Sequence, residues 1–368
     1  MSKLFSPISI RGETFKNRVF VSPMCQYSSD NQDGHPTNWH MVHLGSRAVG
    51  GAGLVMFEAT AVTPNGRITP WDLGIWDDEH ITSYATIADF ISSQGAIPGL
   101  QLAHAGRKAS HDRPWNGGSF LAVEHGGWEP SAPSPIPYTE TEPIPKELSV
   151  SDIDTLVEAF GEASKRAVAA GIKVLELHFA HGYLVFEFMS PLSNRRQDIY
   201  GGSFENRVRF PLQIVDRVRE SIPNSMPLFV RISSSEYMPE GWDIESSISF
   251  SKLLKDHGVD LVDCSSGGNS PMQTLHPYPG YQVSFSSSIR AESQILTGAV
   301  GLITEPQQAE QILLNDSSDV IFLGREFLRK PYWPIQAQSQ LDSQAQWATP
   351  YHRAAESFSP PTPPIVQP

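Results

Sequence analysis

The amino-acid sequence predicts a (β/α)8 TIM barrel, the α/β fold in which eight parallel strands alternate with helices. Short apolar segments and amphipathic helical patterns alternate along the chain. Several of these apolar segments are continuous, which is typical of parallel strands covered on both faces. The 368 residues are enough for eight strand–helix units with insertions. A doubly wound sheet fits this number of units less well.

The eight predicted strands are short apolar runs separated by turn residues and helical patterns. In chain order they are residues 18–21, 53–58, 97–102, 174–178, 228–232, 261–264, 295–300 and 320–323.

Helical patterns fill most of the intervals between these strands. The clearest lie at residues 151–170, 205–222 and 244–258. The first of them can be capped by Ser149 or Ser151, and Gly171 follows its end.

Two segments depart from the alternating pattern. Residues 107–145 are rich in Gly, Pro, Ser and Trp and show little periodicity, which predicts a long excursion after the third strand. Residues 359–368 are half proline, which predicts an extended, flexible tail. We therefore expect one barrel domain over residues 1–358 and a Pro-rich tail over residues 359–368.

Composition narrows the class of protein. The chain has 27 Lys and Arg against 40 Asp and Glu, a formal charge of −13, which argues against nucleic acid or an anionic membrane as a partner. No apolar run is long enough to predict a transmembrane helix, and the first residues do not resemble a secretory signal. Two cysteines are too few for a disulfide scaffold or a multi-thiolate metal site. These features predict an acidic cytoplasmic enzyme.

Polar, titratable or glycine residues follow all eight predicted strands. Active sites of barrel enzymes lie at the carboxyl ends of the strands, so this concentration predicts a catalytic face. In strand order the residues are Ser22 and Cys25, Thr60 beside Ala59, Gln101 and His104, His178 and His181, Arg231, Ser265, Gly298 and Gly301, and Gly324 and Arg325.

The spacing of His178 and His181 allows two kinds of site. A His-x-x-His pair can ligate a metal, although neither a His-Glu-x-x-His pattern nor an obvious third ligand is present. The same pair can donate two hydrogen bonds to one substrate oxygen, with Tyr183 nearby as a proton donor.

The remaining candidates also have a structural and a functional interpretation. A residue such as Cys25 is more often a small buried apolar side chain than a reactive thiol. Arg231 suits either a buried ion pair or an anionic cofactor ring. The glycines that follow the last two strands, with Arg325, indicate a phosphate site of the kind that recurs in this fold.

An ordered series of motifs, from the N-terminal segment to about Arg353, resembles the old yellow enzyme family. The motifs are Ser22-Pro23-Met24-Cys25-Gln26-Tyr27, Gln101 to Lys108, His178-Phe179-Ala180-His181-Gly182-Tyr183, Ser190 to Arg196, Tyr200-Gly201-Gly202-Ser203, Ser265-Ser266-Gly267-Gly268, Thr297 to Gly301 and Phe322-Leu323-Gly324-Arg325. Because its first motif contains a cysteine, the chain resembles the subgroup that includes the xenobiotic reductases and the thermophilic-like ene-reductases.

The resemblance implies a barrel that binds FMN non-covalently at its carboxyl face and takes electrons from NADPH or NADH. It assigns the cofactor to Ser22, Pro23, Met24 and Cys25 on one side of the flavin, Ala59 and Gln101 at the ring system, Arg231 near the N1/O2 edge, and Gly301, Gly324 and Arg325 at the phosphate.

For the substrate, the resemblance implies that α,β-unsaturated carbonyl compounds are reduced at the C=C bond. His178 and His181 would hold the carbonyl oxygen and Tyr183 would deliver a proton. Tyr27 would line the pocket, and Cys25 would tune the flavin. Arg353 would reach the site of a neighbouring subunit in a homo-oligomer.

Three other functions remain open on the sequence. They are a flavin reductase acting on nitro compounds or quinones, a metal-dependent barrel hydrolase that uses His178 and His181, and a barrel that only binds ligands. Phe179 and the Val185-Phe186 pair depart from the family pattern, and we expect them to reshape the substrate pocket.

Overall fold

The computed structural model describes residues 2–342 and 345–355, so the predicted tail over residues 359–368 lies outside the described part. Its strands, in chain order, are β1 (Ile8–Ile10), β2 (Glu13–Phe15), β3 (Val19–Val21), β4 (Leu54–Ala61), β5 (Ile97–Ala103), β6 (Ser131–Ala132), β7 (Lys146–Glu147), β8 (Val174–Phe179), β9 (Leu228–Ser233), β10 (Leu261–Ser265), β11 (Leu296–Ala299) and β12 (Val320–Leu323).

Eight of these strands close into a barrel in the order β3-β4-β5-β8-β9-β10-β11-β12. All neighbouring pairs are parallel. The barrel strands coincide with the eight predicted segments to within a few residues, so the predicted fold class is confirmed.

Helices follow the barrel strands and form the outer layer. They are α1 (Asn38–Val49), α2 (Ile81–Ser93), α3 (Val150–Ala169), α4 (Leu184–Met189), α5 (Phe204–Arg207), α6 (Arg209–Ser221), α7 (Ile244–Asp256), α8 (Val283–Ser293), α9 (Pro306–Leu314), α10 (Arg325–Arg329), α11 (Trp333–Asp342) and α12 (His352–Ala355). Within the described residues, no helix has the length and apolar character needed to cross a membrane.

Local sequence explains two helix boundaries. Ser149 is the N-cap of α3: its hydroxyl accepts from the Asp152 amide, and the Asp152 carboxylate accepts from the Ser149 amide. The helix predicted over residues 205–222 is instead two helices, α5 and α6, with Val208 between them. Pro211 has no amide hydrogen for the Arg207 carbonyl one turn earlier, which explains the interruption.

The β1–β2 hairpin, which the sequence analysis missed, closes the barrel at the amino ends of its strands. Ile10 and Phe15 are buried against Phe20 and Phe229 of the barrel interior. The Phe15 and Phe20 ring centroids lie 4.8 Å apart. This end of the barrel is therefore filled with apolar side chains, and the opposite end carries the polar ones.

We expect Phe15→Ala to lower the free energy of unfolding by about 3–5 kcal/mol, because it removes a fully buried ring and leaves a cavity. Urea unfolding of the two proteins measures this difference. Ser9→Ala, on the exposed side of the same hairpin, is the matched control and should change the value by less than about 0.5 kcal/mol. An equal, small effect of both substitutions would contradict a closing role for Phe15.

Residues 107–145 form the predicted excursion after β5, the third barrel strand. It contains β6, which pairs in parallel with β7 directly after the excursion. Its start is fixed to the loop after β10, because the Arg107 guanidinium donates to the Asn269 carbonyl oxygen and side chain at 2.6 and 3.0 Å.

The expectation that Phe179 and the Val185-Phe186 pair reshape the substrate pocket is wrong. All three side chains are buried in the core between the barrel and its helices. None of them lines a described cavity. Phe179 belongs to a barrel strand, and its side chain points away from the barrel interior because side chains alternate along a strand.

Candidate active site

A cavity of about 250 Å³ opens at the carboxyl ends of the barrel strands. The predicted cofactor residues that line it are Ser22, Pro23, Met24, Arg231, Gly301, Gly324 and Arg325. They come from β3, β9, β11 and β12 and the loops after them, so the barrel brings together residues that lie up to 303 positions apart in the chain, from Ser22 to Arg325.

The end of this cavity between β11 and β12 has the features of an anion site. Gly301 has a φ of +120°, and a Cβ there would lie 2.9 Å from the Gln282 side-chain nitrogen. Only glycine therefore lets the backbone adopt this conformation. Arg325 is exposed beside it, and no ion pair engages its guanidinium within the part of the chain that the structure describes. Backbone amides and an unpaired arginine suit a phosphate group.

Arg231 is a fixed, buried cation in the wall of the same cavity. Its Nη1 donates to Ser22 Oγ at 3.1 Å, and its Nε lies 3.2 Å from Asp263 Oδ2. Asp263 lies on the neighbouring strand β10, and Ser22 directly follows β3 on another side of the barrel, so the guanidinium is held at the cavity from two sides. A held cation at this place fits the anionic edge of a flavin ring.

Glu176 and Asp263 form a buried acidic pair beside Arg231. Gln101 Nε2 donates to Glu176 Oε1 at 2.7 Å, whereas Glu176 Oε2 and both Asp263 oxygens accept no hydrogen bond. Burial raises the pKa of both carboxyls, and the Asp263 charge raises the pKa of Glu176 further. We infer that Asp263 is the ionised partner of Arg231 and that Glu176 keeps its proton.

Glu176→Gln should therefore change how stability depends on pH. In the wild type the folded chain keeps the Glu176 proton above the ordinary glutamate pKa of about 4.3, so this group makes stability fall as pH rises toward its raised folded pKa. Glutamine cannot ionise, and we expect the variant to gain stability relative to the wild type between about pH 5 and about pH 8. Urea unfolding of both apoproteins across that pH range measures the difference in their free energies of unfolding. A difference that does not change with pH would contradict the inference.

His178 and His181 lie side by side at the carboxyl end of β8. Their ring centroids are 5.1 Å apart with the planes at 80°. His181 has a φ of +60°, and the conformation is held because its amide donates to Ser233 Oγ at 2.8 Å and its Nε2 lies 2.7 Å from Ser265 Oγ. Burial first, and then the Arg231 charge, lower the pKa of both imidazoles. Both rings are neutral at neutral pH, so each carries one N–H donor.

Tyr183 completes the group. Its ring centroid lies 5.1 Å from that of His178. Lys108 Nζ sits 4.8 Å from the Tyr183 ring centroid and donates to the carbonyl oxygens of His181 and Gly268 at 2.9 and 3.0 Å. Burial raises the pKa of the Tyr183 phenol, which keeps it protonated. Lys108 therefore fixes the turn that carries both His181 and Tyr183.

Cys25 and Tyr27 lie on the loop after β3. Burial, Asp72 and Glu58 all raise the pKa of the Cys25 thiol, so it is not a thiolate nucleophile. Tyr27 adopts a φ of +51° and lines a second cavity of about 380 Å³ beneath the excursion, together with Lys108. We call this second cavity the mouth cavity.

Two of the remaining predicted site residues lie close to the histidines and one does not. Ala59 lines a third, very small cavity with His178 and Tyr183. Gln101 is linked to that region through Glu176. Arg353 is exposed on α12 and lines none of the described cavities, so its suggested contact with a neighbouring subunit stays a prediction.

Sequence reasoning assigned no role to Lys108, Asp72, Glu176 or Asp263. A carboxylate inside an otherwise apolar strand run, as in Leu175 to His178 and Leu261 to Cys264, is a signal that could have found the last two. Asp72 lies in a loop where the sequence shows no such signal.

The residues of the site show which kind of cofactor they can hold. Within residues 2–342 and 345–355, no group of three or more His, Cys, Asp or Glu side chains could hold a metal ion, so the His178 and His181 pair lacks a third ligand. The cavity of about 250 Å³ has a fixed cation at one wall, a glycine-rich anion site with a free arginine at its end, and loop residues 22–24 along its side. These residues fit FMN, whose phosphate and flavin ring need these groups.

Comparison with known proteins agrees with the site. Residues 3–344 match the model of the NADH:flavin oxidoreductase / NADH oxidase family. An NADPH dehydrogenase from Geobacillus sp. (strain WCH70) is 49% identical over 350 residues, which covers 95% of this chain and 98% of the relative. An NADPH dehydrogenase from Bacillus licheniformis is 49% identical over 352 residues, which covers 96% of this chain and 98% of the relative.

Solved structures show the same architecture. Morphinone reductase superposes with a TM-score of 0.77 at 25% identity and covers 95% of this chain and 91% of its own. An old yellow enzyme homologue from Zymomonas mobilis superposes with a TM-score of 0.76 at 24% identity, covering 94% of each chain. The chain therefore belongs to the NADH:flavin oxidoreductase / NADH oxidase family, that of the old yellow enzymes, and is an FMN-dependent NAD(P)H oxidoreductase.

Proposed function

We propose that the enzyme reduces the C=C bond of α,β-unsaturated carbonyl compounds with electrons from NADPH or NADH. One observation carries this proposal: two neutral imidazoles and a protonated phenol lie next to one another. The ring centroid of His178 is 5.1 Å from that of His181 and 5.1 Å from that of Tyr183. A carbonyl oxygen needs hydrogen-bond donors, and a carbon beside it needs a proton.

The two histidines hold the carbonyl oxygen of the substrate. Because both rings are neutral, each offers one N–H donor without the cost of burying a second positive charge near Arg231. Ser233 and Ser265 fix His181 before the substrate arrives. Donors held in place stabilise the negative charge that develops on the oxygen during reduction.

Tyr183 supplies the proton for the α-carbon. Burial keeps its hydroxyl protonated, and no side chain or backbone group in the described chain accepts a hydrogen bond from it. FMN, when bound, supplies the hydride for the β-carbon. His178 and His181 orient the substrate, and Tyr183 delivers the proton, so the reaction adds one hydride and one proton across the double bond.

The other predicted roles follow from this assignment. Ser22, Pro23, Met24 and Cys25 would lie along the flavin ring, Ala59 and Gln101 would contact it, and Gly301, Gly324 and Arg325 would hold the phosphate. Tyr27 would line the substrate pocket, and Cys25 would tune the flavin potential. We place the enzyme in the cytoplasm as a homo-oligomer whose Arg353 reaches a neighbouring subunit. The relatives named NADPH dehydrogenase support NADPH as the donor.

Anaerobic absorbance spectra test the function directly. The purified yellow protein should bleach on addition of NADPH and regain its colour when 2-cyclohexen-1-one is added. A bleached protein that regains colour with a quinone or a nitro compound, and not with the enone, would assign a different acceptor class. A protein that stays colourless after incubation with FMN would overturn the flavin site itself.

A further inference from the structure

The third cavity lies behind the proposed proton donor. It has a volume of about 10 Å³ and is lined by Tyr183, His178, His104 and Asp72 together with small residues from β4 and β5. A volume of roughly 10–15 Å³ is what one water molecule needs, provided that it finds two to four polar partners. The volume therefore suits a single buried water, and the four polar side chains are its candidate partners in a lining that is otherwise apolar.

One polar atom at this cavity has no protein partner in the described chain, because His178 Nδ1 is buried without a hydrogen bond. Tyr183, His104 and Asp72 line the same cavity and offer further polar groups. The Gly106 amide donates to His104 Nδ1 at 3.1 Å, so the His104 proton lies on Nε2. Buried polar groups are nearly always hydrogen-bonded, which is a second reason to place a water here.

Asp72 connects this cavity with the mouth cavity. Its Oδ2 accepts from the Ile68 amide and its Oδ1 accepts from Thr69 Oγ1, both at 2.7 Å. Ile68 and Thr69 also line the mouth cavity. The Thr69 hydroxyl and the Asp72 carboxyl thus stand between the mouth and the small cavity, in that order.

We propose that Thr69, Asp72 and one water in the small cavity return a proton to Tyr183 after each turnover. This inference rests on the proposed role of Tyr183. When Tyr183 gives its proton to the α-carbon, its Oη–H bond breaks and a phenolate remains. The phenolate takes a proton from the water, the water takes one from the Asp72 carboxyl, and Asp72 regains one from solvent through the Thr69 hydroxyl. No electron moves in these steps.

The electrostatic setting of Asp72 suits this role. Burial raises the pKa of the Asp72 carboxyl to about 6, against the lowering effect of the bonds from Thr69 and Ile68 and of the Arg67 charge. A carboxyl with this pKa exchanges its proton near neutral pH. Glu58, Cys25 and Tyr27 also face it, and each gains a higher pKa from the Asp72 charge. Asp72 acts through Tyr183 and does not touch the substrate.

The test compares the first turnover with later ones. The reduced holoenzyme starts with Tyr183 protonated, so a single turnover with one equivalent of 2-cyclohexen-1-one needs no relay, whereas steady-state turnover does. We expect Asp72→Asn and Thr69→Val to lower the steady-state rate by about tenfold more than the single-turnover rate, within the range of proton-transfer catalysis. Thr69→Ser keeps the hydroxyl and is the matched control, with a wild-type ratio of the two rates.

The outcomes separate the relay from the proposed function. Equal slowing of both rates in Asp72→Asn and Thr69→Val would show a structural role and overturn the relay, as would no slowing. A wild-type enzyme that fails to reduce the enone, or a Tyr183→Phe variant with normal single turnover, would overturn the function of Tyr183 and the relay with it. A crystal structure of the holoenzyme gives an independent readout: we expect a water that contacts Tyr183 and Asp72, and a dry cavity would overturn the proposal.

Discussion

His178→Ala should slow the reoxidation of the reduced enzyme by 2-cyclohexen-1-one by about 10²–10³-fold, while the protein stays yellow. Removing one preorganised donor to a developing oxyanion typically costs about 2.7–4 kcal/mol of barrier. The imidazole does not line the cavity assigned to FMN, so cofactor content should not change. Stopped-flow absorbance measures the reoxidation rate, and the absorbance ratio of flavin to protein measures the FMN content.

His257→Ala removes an imidazole from the surface end of α7, where the ring pairs with Asp216, and is the control for this experiment. Its reoxidation rate should match that of the wild type. Unchanged enone turnover in His178→Ala would contradict the role of the histidine pair. A colourless His178→Ala protein would show instead that the ring supports FMN binding.

Tyr183→Phe should slow the enone reaction by about 10²–10⁴-fold, the usual range for loss of a general acid. The same variant should reduce a quinone at a rate close to that of the wild type, because the oxygens of a quinone can be protonated by solvent. The measurement compares the rates at which the enone and the quinone reoxidise the same reduced enzyme. The difference between acceptors is the signature of proton donation to carbon.

Tyr138→Phe is the matched control, because Lys108 Nζ lies 4.8 Å from the ring centroids of both tyrosines. It removes a phenol from the same cation without removing the proposed donor, and we expect normal enone reduction. If Tyr183→Phe slowed both acceptors equally, its hydroxyl would serve to shape the pocket and not to deliver a proton.

The barrel could be predicted because its strands are continuous apolar runs, whose pattern depends only on burial on both faces. The β1–β2 hairpin escaped prediction because each of its strands has three residues, too few to show a period. Its function depends on Phe15 meeting Phe229, more than two hundred residues away.

Some residues of the candidate site could likewise be predicted from the sequence, and others could not. Cys25, His178, Arg231 and Arg325 could be found at strand ends, because the fold itself brings all carboxyl ends to one face. Asp72 could not be found, since its proximity to Tyr183 depends on the path of a loop that leaves no periodic pattern. Phe179 was placed wrongly for a related reason: a strand end has two sides, and the sequence alone does not show which side faces the ligand.

The apolar filling of the barrel's amino end has a consequence for how this enzyme can evolve. The residues that hold the fold together, such as Phe15 and Phe20, are separated along the barrel axis from those proposed to act on ligands. Substitutions around Tyr27 or in the excursion can therefore change the range of acceptors while the stability margin stays nearly constant. Directed evolution toward new acceptors should accumulate its changes at the mouth and leave the hairpin end untouched.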